Sequence, residues 1–105
     1  GALKQFVLFF RDGGATLSDG GKAIVQRIAE IARQRHPARI EVIGANDGMA
    51  PGRERLADRR AEAVADALAK EGVDPAIIAR SGQAKPAGAG IAAHNVTVRF
   101  SPSAG

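Results

Sequence analysis

Cysteine is absent from this chain of 105 residues, which excludes disulfides, thiolate nucleophiles and cysteine-ligated zinc. Tryptophan and tyrosine are absent too, and the only aromatics are four phenylalanines. A surface that stacks exposed bases or sugars therefore has almost nothing to be built from. There is no run of about 18 apolar residues, so no membrane-spanning helix and no direct membrane insertion is expected. A block of five or six like charges, the mark of a nucleic-acid arm, is also missing. Fifteen Lys and Arg against eleven Asp and Glu leave a net charge of +4, but the cations are interleaved with acids. They favour an anionic partner only weakly, and nucleic acid is not expected. The chain opens at Gly1 with neither Met nor a charged-then-apolar leader, and it reads as one piece of a longer protein.

What is present is ordinary globular material. Hydrophobic residues make up 45% and charged residues 25%, values that suit one domain, residues 1–105, with one modest core. Gln5 to Phe10 is a short apolar run closed by Arg11-Asp12-Gly13-Gly14, a strand followed by a turn. Ser18 or Asp19 can cap a helix from about Gly20 to Arg35, whose apolar face is Ile24, Val25, Ile28, Ile31 and Ala32. His36-Pro37 stops it, because proline disfavours a helical residue before it. Ala38 to Gly44 alternates, with Ile40, Val42 and Gly44 on one side, and predicts a second strand running into the loop Ala45-Asn46-Asp47-Gly48. Arg53 to Glu71 is the longest predicted helix, with Gly72 as its left-handed terminal residue. Ile77 to Gln83 and Asn95 to Phe100 are the last two strands, separated by a loop, and Ser101 to Gly105 is a frayed tail. The order β-α-β-α-β-β predicts an α+β fold, a two-layer sandwich with both helices on one face of a small mixed sheet.

One position breaks its pattern. Residues four apart form a row on a helix, so Leu56, Arg60, Val64 and Leu68 make an apolar stripe interrupted by a guanidinium. Unpaired and poorly solvated, that group would cost several kcal/mol, a large part of a typical total stability of ~5–15 kcal/mol. An anion is therefore expected near it. Asp47 is the best internal candidate, because it follows the carboxyl end of the second strand, where open sheets place ligand crevices. Three arrangements fit the spacing. Asp47 and Arg60 can form a salt bridge that ties loop to helix. Arg60 can snorkel to solvent. The pair can instead form a receptor for a zwitterion, Arg60 forking a carboxylate and Asp47 accepting from an ammonium, with Gly44 and Gly48 letting backbone approach the ligand.

The same residues carry a resemblance over nearly the whole chain. Phe6 to Phe10 followed by Leu17, the Gly44-Ala45-Asn46-Asp47 segment, and Leu56-Ala57-Asp58-Arg59-Arg60-Ala61-Glu62-Ala63-Val64 resemble the OmpA-like peptidoglycan-binding domain of outer-membrane proteins, peptidoglycan-associated lipoproteins and flagellar stator subunits. Gly72-Val73, Gly82 and Pro86 fall in matching places. The resemblance implies a non-catalytic periplasmic module, without cofactor, that anchors an envelope protein to the cell wall by holding the diaminopimelate of the peptide stem. It gives the grip to Asp47 and Arg60, with Ala45, Asn46, Gly48 and Leu56 completing the ligand-binding set. Several positions depart from the family pattern. Ala45 and Asn46 replace a His and a Thr, Arg53 replaces an Asn, and the loop from Asp47 to Leu56 is about two residues short. The Arg pair that enters the last strand is missing, and Phe10 stands where many members have an acidic residue. The alternative these departures allow is a degenerate domain serving protein interaction or oligomerisation, as a homodimer or against an envelope protein partner.

Nothing else in the chain gathers chemistry. His36 ends a helix and His94 begins a strand, and neither has a second ligand at metal spacing. Ser18, Ser81, Ser101 and Ser103 lack a nucleophile elbow, and Gly13-Gly14 and Gly20-Gly21 lack the Lys of a phosphate loop. The segment carrying Arg53, Arg55, Arg59 and Arg60 is electropositive, and the helix dipole adds to it.

Overall fold

The structure is a computed structural model, and it describes residues 5–10, 14–44, 53–81 and 95–101. Within them the elements run β1 (Gln5–Phe9), α1 (Asp19–Arg35), β2 (Arg39–Gly44), α2 (Arg53–Lys70), β3 (Ile78–Ser81) and β4 (Asn95–Ser101). They form the predicted α+β sandwich. Local chemistry explains both ends of α1 and the C-terminal end of α2. The Ser18 hydroxyl accepts the Gly21 N–H at 3.1 Å, which settles the N-cap of α1 on Ser18. His36 closes α1 in the left-handed region at φ 49°, its N–H returning to the Ala32 carbonyl at 2.9 Å. Gly72, at φ 101°, ends α2. Its N–H bonds the Ala69 carbonyl, and the Val73 N–H bonds the Leu68 carbonyl. These two bonds make a Schellman turn, and its accompanying apolar contact joins Val73 and Leu68, both buried. Arg33 donates to the Glu71 carbonyl at 2.8 Å and so ties α1 to the end of α2.

The sheet order is β1-β4-β2-β3, with β4 antiparallel to both neighbours and β2 parallel to β3. The alternation of each strand sends one set of side chains toward the helices. Leu8, Ile40, Val42, Val96, Val98 and Phe100 join Val25, Ile28, Ala29, Val64 and Leu68 in one core. Phe6 meets Phe100 edge to face at 5.5 Å.

Four expectations need adjustment. Ile24 is 39% exposed; it lies about 100° around the helix from Val25, on the flank of the buried arc centred on Val25, Ile28 and Ala32. A 3₁₀ turn at Pro75–Ile77, capped by Asp74, delays β3 to Ile78. Ser101 continues β4 opposite Arg39 instead of starting a tail. Gly44 has a different use from the expected one. A Cβ there would overlap the Ala57 carbonyl oxygen and lie 2.8 Å from its carbonyl carbon. Helix backbone, not ligand, makes the close approach, and glycine is what lets α2 settle onto β2.

Gly44→Ala is expected to lower unfolding free energy by about 1–3 kcal/mol or more, since rigid backbone must yield. Gly20→Ala, whose Cβ would meet only Ser18 Oγ at 3.9 Å, should leave stability unchanged or raised. Urea denaturation of the two variants checks the pair.

Candidate functional site

The register brings several strand ends to one end of the sheet. Phe9 pairs with Asn95, Gly44 with Val96, and Ile43 with both Thr97 and Ser81. The exits of β1, β2 and β3 and the entry of β4 therefore lie together, where loops of an open sheet collect function. The Gly44 contact fixes Ala57 of α2 against this end, and Arg60 follows it by about one helical turn.

Arg60 is 2% exposed, the one buried charged residue among those described. Snorkelling is thereby excluded. The apolar stripe is real around it, because Val64 and Leu68 are fully buried and Leu56 is partly buried. Its Nε donates to the Gly14 carbonyl at 2.7 Å, a bond that spans 46 residues of sequence. The guanidinium carbon lies 5.6 Å from the centroid of the Phe10 ring, inside the range of a cation–π contact. A charge-assisted bond and a ring face each offset part of the desolvation cost. Arginine suits such a place better than lysine, since guanidinium is more weakly hydrated and stacks on aromatic faces. Its planar edge carries the two-nitrogen fork that matches a carboxylate.

Of the predicted site residues, Arg60 and Leu56 are brought to this end of the sheet. Ala45, Asn46, Asp47 and Gly48 lie outside the described residues, as do Arg11 to Gly13, Gly82, Pro86 and His94. Two participants were not legible as such. Gly14 contributes a backbone carbonyl, which leaves no trace in a side-chain pattern. Phe10 reads as the end of an apolar strand, and the one signal for it is the resemblance, which places an acidic residue there in many members. The charges further along α2 form a separate surface feature. Glu62 meets Arg80 of β3 at 3.4 Å with both side chains more than half exposed, a pair worth little to stability. A groove of about 460 Å³ between the helices is walled by residues including Leu17, Lys22, Val25, Ala63, Asp66 and Lys70, and Arg60 takes no part in it. Among the described residues no cluster of His, Asp and Glu could hold a metal ion, and no helix is long and apolar enough to cross a membrane.

A family model described as the OmpA family matches residues 9–98. The fold is similar to the OmpA-like domain of FopA1 from Francisella tularensis subsp. tularensis SCHU S4, with a TM-score of 0.79 at 19% identity, covering 95% of this chain and 73% of that one. It is similar also to the cell wall anchor of the T6SS from Pseudomonas aeruginosa, with a TM-score of 0.78 at 19% identity over 96% of this chain and 82% of that one. The peptidoglycan-associated lipoprotein from Burkholderia pseudomallei gives a TM-score of 0.71 at 24% identity over 90% and 87%. No curated protein sequence matches the chain.

Burial of Arg60 has a chemical consequence that can be measured. Phenylglyoxal should modify exposed Arg59 at least about tenfold faster than Arg60, read by mass spectrometry of the folded chain. Equal rates at the two neighbours would contradict the geometry.

Proposed function

This chain belongs to the OmpA family, and we propose that it is a non-catalytic periplasmic module that fastens an envelope protein to peptidoglycan by gripping the diaminopimelate of the peptide stem. The observation that carries this reading is the buried guanidinium of Arg60, held at the end of the sheet from which the β2-to-α2 connection departs. The names of two structural neighbours, a cell wall anchor and a peptidoglycan-associated lipoprotein, support it.

Diaminopimelate ends in a carbon bearing both an ammonium and a carboxylate. Arg60 forks the carboxylate through two parallel N–H···O bonds, and Asp47 accepts from the ammonium. Chain length permits the pairing. Three peptide bonds separate Asp47 from Gly44, a reach of at most ~11 Å, and Gly44 is the residue that α2 presses upon one turn before Arg60. Ala45, Asn46, Gly48 and Leu56 would line the same ligand. In a poorly solvated place the ion pair gains strength that it would lack on an open surface. Selectivity follows from the chemistry, because a lysine-type stem lacks the second carboxylate and offers Arg60 none beside the side-chain ammonium.

One observation favours a second reading, association of two copies. The edge strand β1 holds no charged residue, and Phe9 and Val7 on it are 56% and 37% exposed. Uncharged edges of this kind pair readily with another strand.

Retention on purified diaminopimelate-type sacculi separates the two. Wild type should be retained, and Arg60→Ala and Asp47→Ala should each lose about 2–5 kcal/mol of binding, with circular dichroism unchanged. Lysine-type sacculi should hold the wild type far less. Equal retention of wild type and Arg60→Ala rejects the grip, and a wall-inert protein that sediments as a dimer would put the β1 edge in its place.

A further inference from the structure

Both helices pack on one face of the sheet, and the strand register defines what the other face presents. Val7 lies opposite Thr97, which lies opposite Ile43, and one step along Arg99 lies opposite Glu41. Three large hydrophobic residues are exposed among those described, and two of them, Val7 and Phe9, are on this face. Thr97, Ile43, Arg99 and Glu41 are half-buried. The face therefore has an apolar half toward the strand exits and a charged half beyond it. Among the described residues neither Arg99 nor Glu41 is held in an ion pair.

We infer that this open face docks a second copy of the chain, the two sheets stacked about a two-fold axis that runs along the strands midway between β4 and β2. The charge pattern selects both the occupant and the axis. In a two-fold contact a residue i that meets j is matched by j meeting i. This axis exchanges the places of β4 and β2, so Arg99 of each copy meets Glu41 of the other. By the same register Thr97 meets Ile43 and Arg39 meets Ser101. A two-fold axis running across the strands at the level of Arg99 and Glu41 would instead set each charge on its like. Aligned strands with the sheets about 10 Å apart are the ordinary geometry of face-to-face packing. Four strands at ~4.8 Å spacing offer less than the ~800 Å² per partner of a standard interface, so the dimer forms at high protein concentration. Because the axis is parallel to the strands, both copies send their strand exits, and Arg60 with them, toward the same side. Two grips then face one wall and gain avidity, a consequence that rests on the proposed grip, whereas the dimer does not.

Sedimentation equilibrium from about 10 μM to about 1 mM reads the association. Wild type should pass from monomer to dimer over this range. Arg99→Glu and Glu41→Arg should each weaken dimerisation at least about tenfold. An equimolar mixture of these two variants should associate again, because every charge at positions 41 and 99 then faces its opposite. The double reversal, which keeps opposite charges side by side within one chain, should dimerise like wild type yet not exchange subunits with it. Circular dichroism checks the fold of each variant, and the double reversal carries the test where a single reversal unfolds the chain. Arg60→Ala should dimerise unchanged, so failure of the proposed grip leaves this result standing. A wild type monomeric at about 1 mM, or a dimer indifferent to all the charge reversals, overturns the inference. The second outcome would move the contact to the β1 edge, whose pairing extends the sheet without covering its face.

Discussion

A permanently charged guanidinium sits where the folding pattern asks for a hydrocarbon, and the arrangement of this end of the domain answers to that fact. Arg60 cannot shed its proton, and at 2% exposure it cannot rely on bulk water. The protein must therefore solvate it from within. Among the groups around it are a carbonyl at 2.7 Å and an aromatic ring centred 5.6 Å away. Both come from the stretch between β1 and α1, so β1, α1 and α2 converge on a single side chain. A buried ion is weak evidence for stability in itself, because a well-packed apolar residue of similar volume often does as well or better. Retaining the ion there is easier to understand if something outside the core uses its charge.

The scaffold brings the charge to a usable position through a backbone contact. Gly44 ends β2 without a side chain, and the Ala57 peptide group occupies the space that a Cβ would take. That contact sets the height of α2 over the sheet, and Arg60 follows one turn later. Since β4 runs antiparallel between β1 and β2, its entry joins the exits of the other three strands at this same end. The opposite end has different work. The αL residue His36, the Schellman turn at Gly72 and the Arg33 bond to the Glu71 carbonyl close both helices there.

Much of this was written in the sequence in local form. Ser18, Pro37 and Gly72 marked helix ends through side-chain and backbone chemistry that acts within a few residues. The alternation of Ile40 and Val42, and of Val96 and Val98, gave the buried faces directly. Arg60 was visible because it interrupts a four-residue rhythm. The non-local facts were hidden. Nothing in Asn95–Ser101 announces that it slots between β1 and β2, because strand order is set by pairings far apart in the chain. The Gly14 carbonyl has no side-chain signature, Phe10 looks like any other apolar strand residue, and Gly44 looked like a place for a ligand because a glycine does not say which neighbour needs the room.

Membership of the OmpA family and the departures at Ala45, Asn46 and Phe10 come together in one physical picture. The fold is the family's, Arg60 lies buried at one end of its sheet, and the grip proposed for it is what a bound ligand would reveal. A structure of the chain with a diaminopimelate tripeptide bound tests that picture most directly. The account predicts the terminal carboxylate of diaminopimelate within hydrogen-bond distance of both terminal nitrogens of Arg60. A tripeptide seated elsewhere, with Arg60 buried and untouched by it, would contradict the account.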